Sequence, residues 1–340
     1  MNNSIYILSS LNISVEKFHL CTWDVPFGKT FIEVGMSIAN TNALPDRVDM
    51  FVDLPFISSN CTILSLHETL NDNDNYKFIF NVIPSSIQSL GGEKRNGSIV
   101  ILSGEGEERE RTHLVANATT EIVNNHILKV SFNKGPNTVG HNYVRLLIET
   151  KLDTIAEVRS GITKKAFIFD IKINEARNIP SDVLDYKRNN NLNISNVEKA
   201  YCLHCVPDNY ELSFADFSKM KNIRKLEKEG FQKYLPLQNK LEGEYIIIFI
   251  KDSNDSFTYS FFTTFNKEIL GNKQILLAVV ANLICNLLFA ISSFRKDIND
   301  QFAWYEQLPI EWFIALGVIS ICLICCLPIK TWLKKCSHRS

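Results

Sequence analysis

The sequence predicts a mainly β soluble region, one or two β-sandwich-like units, followed by a two-helix transmembrane hairpin. Three observations carry this expectation. Residues 1–265 consist largely of short apolar runs or apolar–polar alternations bounded by turn residues, the pattern of half-buried strands. Two long stretches near the C-terminus, Gln274–Phe294 and Ile310–Ile329, carry a single charge between them, Glu311 at the very edge of the second. Gly and Pro are sparse, at 14 and 10 of 340 residues, which excludes a fibrous or low-complexity chain.

Strands are expected at Ile5–Ile13, Phe18–Trp23, Phe31–Ala39, Val48–Leu54, Cys61–Leu66 and Tyr76–Ile83. Further strands are expected at Ser98–Leu102, Ile127–Phe132, Tyr143–Glu149 and Ala166–Ile173. Tyr245–Lys251 and Phe257–Phe265 read as a terminal β-hairpin around Asp252-Ser253-Asn254-Asp255. The polar, Asn-rich segment after Pro180 suggests an internal boundary, giving a β-rich cytoplasmic domain at 1–180 and its continuation at 181–265. One amphipathic helix is expected at about 214–230. Ser213 can cap it, Phe217, Met220, Ile223 and Leu226 follow at steps of three, and Gly230 can end it. Lys219, Lys221, Arg224, Lys225 and Lys228 decorate its other faces, as a solvated surface or as a patch for anionic headgroups or a phosphate-bearing ligand.

A helix of 20 residues rises about 30 Å, enough to cross the hydrocarbon core. Gln274–Phe294 and Ile310–Ile329 each reach that length. The outer flanks hold Lys267, Lys273, Lys330, Lys334, Lys335 and Arg339, whereas the 295–309 loop holds Arg295 and Lys296 against Asp297, Asp300 and Glu306. The excess of positive charge outside the loop places both termini, including the basic tail 330–340, in the cytoplasm and the loop outside. The expected location is thus the cell membrane. Asn282 and Asn286 share one helical face, and Ser293 extends that stripe. Amides in hydrocarbon need partners, so this face should meet another helix, through Gly317 and Ser320 of the second span or in a second copy of the chain.

The candidate chemistry is thin. Near-neutral net charge, 36 basic against 37 acidic side chains, gives no reason to expect a nucleic-acid partner. Cys202-Leu203-His204-Cys205 is half of a zinc site without a second half, so it reads as weak metal ligands, as a redox dithiol, or as packing. On a strand, Cys202 and His204 would share a face and Cys205 would point away. Asn71–Asn75 lacks the Gly and Glu of a calcium loop and reads as a turn. Arg145, Asn174, Glu175 and Arg177 lie at strand ends and would line a ligand pocket if those ends are neighbours. No cofactor is implied.

The sequence therefore suggests a non-enzymatic sensor or effector. Its cytosolic β-domain would bind a ligand or protein partner, and its helices would oligomerise or perturb the bilayer. Small bacterial defence effectors share such a layout, an analogy of architecture alone. A passive membrane-anchored scaffold and a tethered enzyme built on Cys202, His204 and Cys205 are the alternatives.

Overall fold

The computed structural model describes residues 4–25, 29–90, 96–104, 107, 110–161, 164–226, 233–235, 243–253, 257–268, 278–286, 312–313, 316–317 and 320. The fold is mainly β, in two sheets. The first half runs β1 (Ser4–Ser9), β2 (Val15–Val25), β3 (Lys29–Ala39), β4 (Arg47–Asp53), β5 (Ile63–Ser65), α1 (Asn73–Phe80), β6 (Pro84–Ser89), β7 (Gly97–Leu102), β8 (Thr112–Ala116), β9 (Thr119–Asn124) and β10 (Ile127–Asn133). The second half runs β11 (His141–Thr150), α2 (Leu152–Ile155), β12 (Glu157–Ser160), β13 (Lys164–Ile173), α3 (Ser181–Asn189), β14 (Asn193–Ile194), β15 (Ala200–Pro207), β16 (Tyr210–Ala215), β17 (Met220–Lys225), β18 (Tyr245–Asp252) and β19 (Tyr259–Glu268).

The smaller sheet has the order β16-β19-β13-β1-β4-β10-β9, and the larger β17-β18-β15-β2-β3-β11-β8-β7-β6. The inner faces supply one shared core. Ile5 and Ile7 of β1, Met50 and Val52 of β4, and Phe169 and Ile171 of β13 join Phe18 and Leu20 of β2, Ile32 and Val34 of β3, and Val144 and Leu146 of β11. Burying each such side chain contributes about 1.5–3 kcal/mol, which is what holds two sheets face to face. The outer faces are only partly bare. A second apolar cluster, with Trp23, Leu70, Tyr76 and Leu147, lies under α1 on the larger sheet. A third, with Tyr6, Leu8, Val183 and Leu192, lies under α3 on the smaller one.

Met1–Arg159 with Ala166–Lys267 form one compact unit, and Ser160–Lys165 with Glu268–Ser340 a second. Within the second, residues 278–286 are helical, as are 312, 313, 316, 317 and 320. Asn282 and Asn286 lie exposed on that helix, as do Gly317 and Ser320 on theirs, and Ser293 falls outside the described residues. Among the described residues, no helix is long and apolar enough to cross a membrane.

Three local expectations are corrected. Tyr76–Ile83 is not a strand. Asp72 caps α1 by accepting from the Asp74 and Asn75 amides at 2.9 and 3.1 Å, and Asn81 ends it with a left-handed φ of 52°. Tyr76 and Phe80, four apart, share its inner face, stacked at 4.3 Å. The amphipathic helix at about 214–230 is also absent, so far as it is described. Residues 210–215 and 220–225 are β16 and β17, edge strands of different sheets, and residues 227–230 lie outside the described set. Steps of three apolar residues suit an exposed edge as well as a helix, and pairing with β19 and β18 decides between them.

Tyr245–Lys251 and Phe257–Phe265 do form strands, but not a hairpin. β18 belongs to the larger sheet and β19 to the smaller, so the link between them crosses the sandwich. The polar segment after Pro180 holds α3. Val183 is buried, and Tyr186 meets Phe51 at 6.0 Å.

Candidate functional site

The densest group of polar side chains lies on the outer face of the larger sheet. Alternation along strands puts Trp23, Cys21 and His19 of β2, Glu33 of β3, and Arg145 and Tyr143 of β11 on that one face. Glu33 is fully buried and Arg145 nearly so. Glu33 Oε1 accepts from Trp23 Nε1 at 2.8 Å. Its Oε2 accepts from Arg145 Nε at 2.5 Å, pairs with Arg145 Nη2, and accepts the Tyr234 hydroxyl at 2.8 Å. Tyr234 comes from the short described segment 233–235, whose Tyr234 and Leu235 are both buried. One carboxylate thus pins that segment to the sheet.

The network continues through Tyr143. Its hydroxyl accepts from Arg145 Nη1 at 2.8 Å and sits 2.9 Å from His19 Nδ1. A guanidinium only donates, so the Tyr143 hydroxyl is the acceptor toward Arg145 and keeps its proton free for another partner. Burial, aided by the Arg145 charge, pushes His19 well below its ordinary pKa and keeps it neutral. Gly35 makes room for this arrangement. A Cβ there would stand 2.5 Å from the Tyr143 hydroxyl.

A neighbouring group surrounds β8. Tyr76 of α1 lies 3.1 Å from His113 Nδ1, and burial lowers His113 to about 4. His141 Nδ1 lies 2.8 Å from Glu16 Oε2, which also accepts from Ser37 Oγ at 3.1 Å. Phe80 covers the seam, 4.7 Å from Tyr143 and 6.0 Å from His113 between ring centroids. The cluster is internally satisfied, and it serves as a fastening for α1 and the 233–235 segment.

The structure does not bring Arg145, Asn174, Glu175 and Arg177 together. Arg145 is in the larger sheet. Asn174 and Glu175 follow β13 in the smaller sheet, where Arg177 is exposed. Asn174 takes a left-handed φ of 54°, accepts from the Ile7 amide at 3.1 Å and donates to the Ser195 carbonyl at 2.8 Å. It ties β13 to β1 and to the stretch after β14. Glu175 pairs with Lys172 at 3.2 Å, and its carbonyl accepts the Tyr6 hydroxyl at 2.9 Å.

Cys202 and His204 do share a face, and that face is the sandwich core. His204 Nδ1 lies 2.8 Å from Thr22 Oγ1, its Nε2 lies 3.5 Å from Cys202 Sγ, and its ring packs on Phe169 and Phe265. Burial lowers His204 to about 3 and raises the Cys202 thiol. Cys205 points to the opposite face, where its Sγ lies 3.9 Å from that of Cys21, a pairing that sequence spacing did not reveal. Burial raises the Cys21 thiol well above its usual value, which disfavours its thiolate. Among the described residues, no three His, Cys, Asp or Glu side chains stand where they could hold a metal ion.

A second feature missed in the sequence is a clasp on the smaller sheet. His126, in the turn between β9 and β10, lies with Nδ1 against Asp53 of β4 and with Nε2 2.7 Å from Asp182 in the first turn of α3. Burial raises Asp53 to about 6, against the pull of His126. Burial also disfavours His126⁺, but Asp53 and Asp182 outweigh it and raise the His126 pKa. Both raised values mean the folded state holds its protons more tightly than the unfolded chain. The His126 contribution is complete below 6.5 and is lost as pH rises through its raised value, and that of Asp53 declines between 3.8 and about 6. His126→Ala is therefore expected to speed hydrogen exchange across residues 181–189 at pH 6, with a smaller difference from the parent at pH 9. Equal exchange in the two proteins at pH 6 would show that the clasp does not hold α3.

No protein-family model matches the chain, and no curated protein matches its sequence.

Proposed function

We propose that this chain is a membrane-anchored, non-enzymatic sensor or effector. Its β-sandwich receives a ligand or protein partner, and the apolar stretches Gln274–Phe294 and Ile310–Ile329 assemble in the bilayer and alter its permeability. The reading rests on one observation: β19 ends at Glu268, six positions before an uncharged stretch of membrane-spanning length. So short a connection couples any shift of the last strand to the lipid segment. The burial of Cys202 and His204 supports a non-enzymatic reading, because a substrate has no route to them.

Expression should make cells permeable to a small dye once the sandwich is triggered. Asn282→Leu with Asn286→Leu should abolish the leakage, since these amides are the polar groups proposed to face a partner helix. Leakage indifferent to both substitutions would remove the pore, and extraction of the full chain by alkaline carbonate would remove the anchor. A passive scaffold would bind its partner yet leave permeability unchanged.

A further inference from the structure

At one side of the sandwich both sheets end, the smaller at β16 and the larger at β17. Residues 216–219 bridge them. The register of β16 against β19 shifts between Leu212 and Phe214. Tyr210 and Ala215 are buried, so this bulge turns Phe214 outward where unbroken alternation from Tyr210 would bury it. Phe214 meets Phe262 of β19 edge-on, at 5.7 Å between centroids. Phe217 stands beside them, 65% exposed, with Phe214 at 50% and Phe262 at 40%. Three phenyl rings exposed to water are costly, and such patches mark interaction surfaces. Next to them, β17 presents exposed Lys221, Arg224 and Lys225, of which Lys225 pairs with the exposed Glu244. Asp216 and Asp252 are engaged by Lys219, at 3.8 and 2.8 Å.

We infer that this aromatic and basic edge docks on the headgroup layer of an anionic bilayer. The inference rests on the anchoring proposed above. Phe262 lies on the strand that feeds the first apolar stretch. From Phe262 to Glu268 is six strand positions, about 20 Å, and from Glu268 to Gln274 another six, at most about 20 Å when extended. The edge is therefore tethered by no more than about 40 Å of chain to the first apolar stretch. Aromatic rings favour the interfacial depth, and Lys and Arg side chains are drawn to an anionic surface. The same cations keep the exposed edge strand β17 from pairing with other chains.

The test is hydrogen exchange on the full chain in phosphatidylcholine nanodiscs, with and without phosphatidylglycerol. Amides of residues 214–224 are expected to exchange roughly tenfold slower on the anionic discs. The Phe214→Ser/Phe217→Ser variant, altered only at exposed positions, should lose that protection while the core strands keep theirs. Uniform rates on all discs would overturn the inference. So would protection in detergent that grows with protein concentration, which would assign the edge to a second copy. Protection in detergent on adding inorganic phosphate would assign it to a soluble anion. A chain that does not enter the discs at all refutes the anchoring itself, and is read separately from disc co-purification.

Discussion

Arg145→Met is expected to destabilise the β-sandwich by about 3–5 kcal/mol, because it strands the fully buried Glu33 without its cation. The Trp23 and Tyr234 donors remain, but two neutral hydrogen bonds do not replace a guanidinium in a low-dielectric setting. For a unit of this size the loss corresponds to a fall in Tm of roughly 10 °C. Arg145 also donates to Tyr143, so the tie to His19 loosens as well. The informative comparison is the double variant Glu33→Gln/Arg145→Met. Removing both charges should recover much of the loss, since an apolar or neutral pair avoids desolvating ions. Thermal unfolding of the parent and the two variants in detergent decides it. A single variant as stable as the parent would mean that the ion pair does not hold the outer face of the larger sheet.

Acidification from pH 7 to pH 5 should remove about 3 kcal/mol of stability. Three histidines, His19, His113 and His204, are buried and held neutral, the last two at about 4 and about 3. Their folded pKa values lie below the unfolded value of 6.5, so the unfolded chain binds more protons as pH falls. Stability is intact above 6.5 and is lost progressively down to each folded value. His113 and His204 each account for about 2 kcal/mol by pH 5, from about 1.4 kcal/mol per unit, and His19 acts in the same direction. Asp53, raised to about 6, and His126, also raised, work in the opposite sense, and Asp53 returns about 1 kcal/mol over the same range. Denaturant midpoints at pH 7 and pH 5 measure the net effect. His204→Gln keeps a polar group near Thr22 and should shrink the loss by about 2 kcal/mol. Midpoints that do not move with pH would show that these rings are protonated in the folded state.

The strands of the core were legible because alternation survives wherever one face is buried. Val48–Leu54, Tyr143–Glu149 and Ala166–Ile173 match β4, β11 and β13 closely. What alternation cannot report is the partner. β18 and β19 look like a hairpin locally, and only their place in two different sheets shows otherwise. α1 was hidden because Tyr76 and Phe80 fit both a period of two and a spacing of four, leaving the Asp72 cap to decide. The Glu33–Arg145 pair was illegible because it joins residues 112 apart. Alternating apolar neighbours around a lone Glu33 and a lone Arg145 were the available signal, for a charge in a buried strand must find its opposite. The His126 clasp had no signal in spacing at all.

The order of strands also governs how the chain can be made. β1 lies parallel to β13, and β2 lies parallel to β15, which in turn needs β18. The first two strands leave the ribosome long before these neighbours exist. Each then presents an open, apolar edge while more than 150 further residues are synthesised. Such late closure makes folding slow and leaves the nascent chain dependent on chaperones. Only when β19 emerges is the sandwich complete, shortly before the apolar stretch Gln274–Phe294 is made.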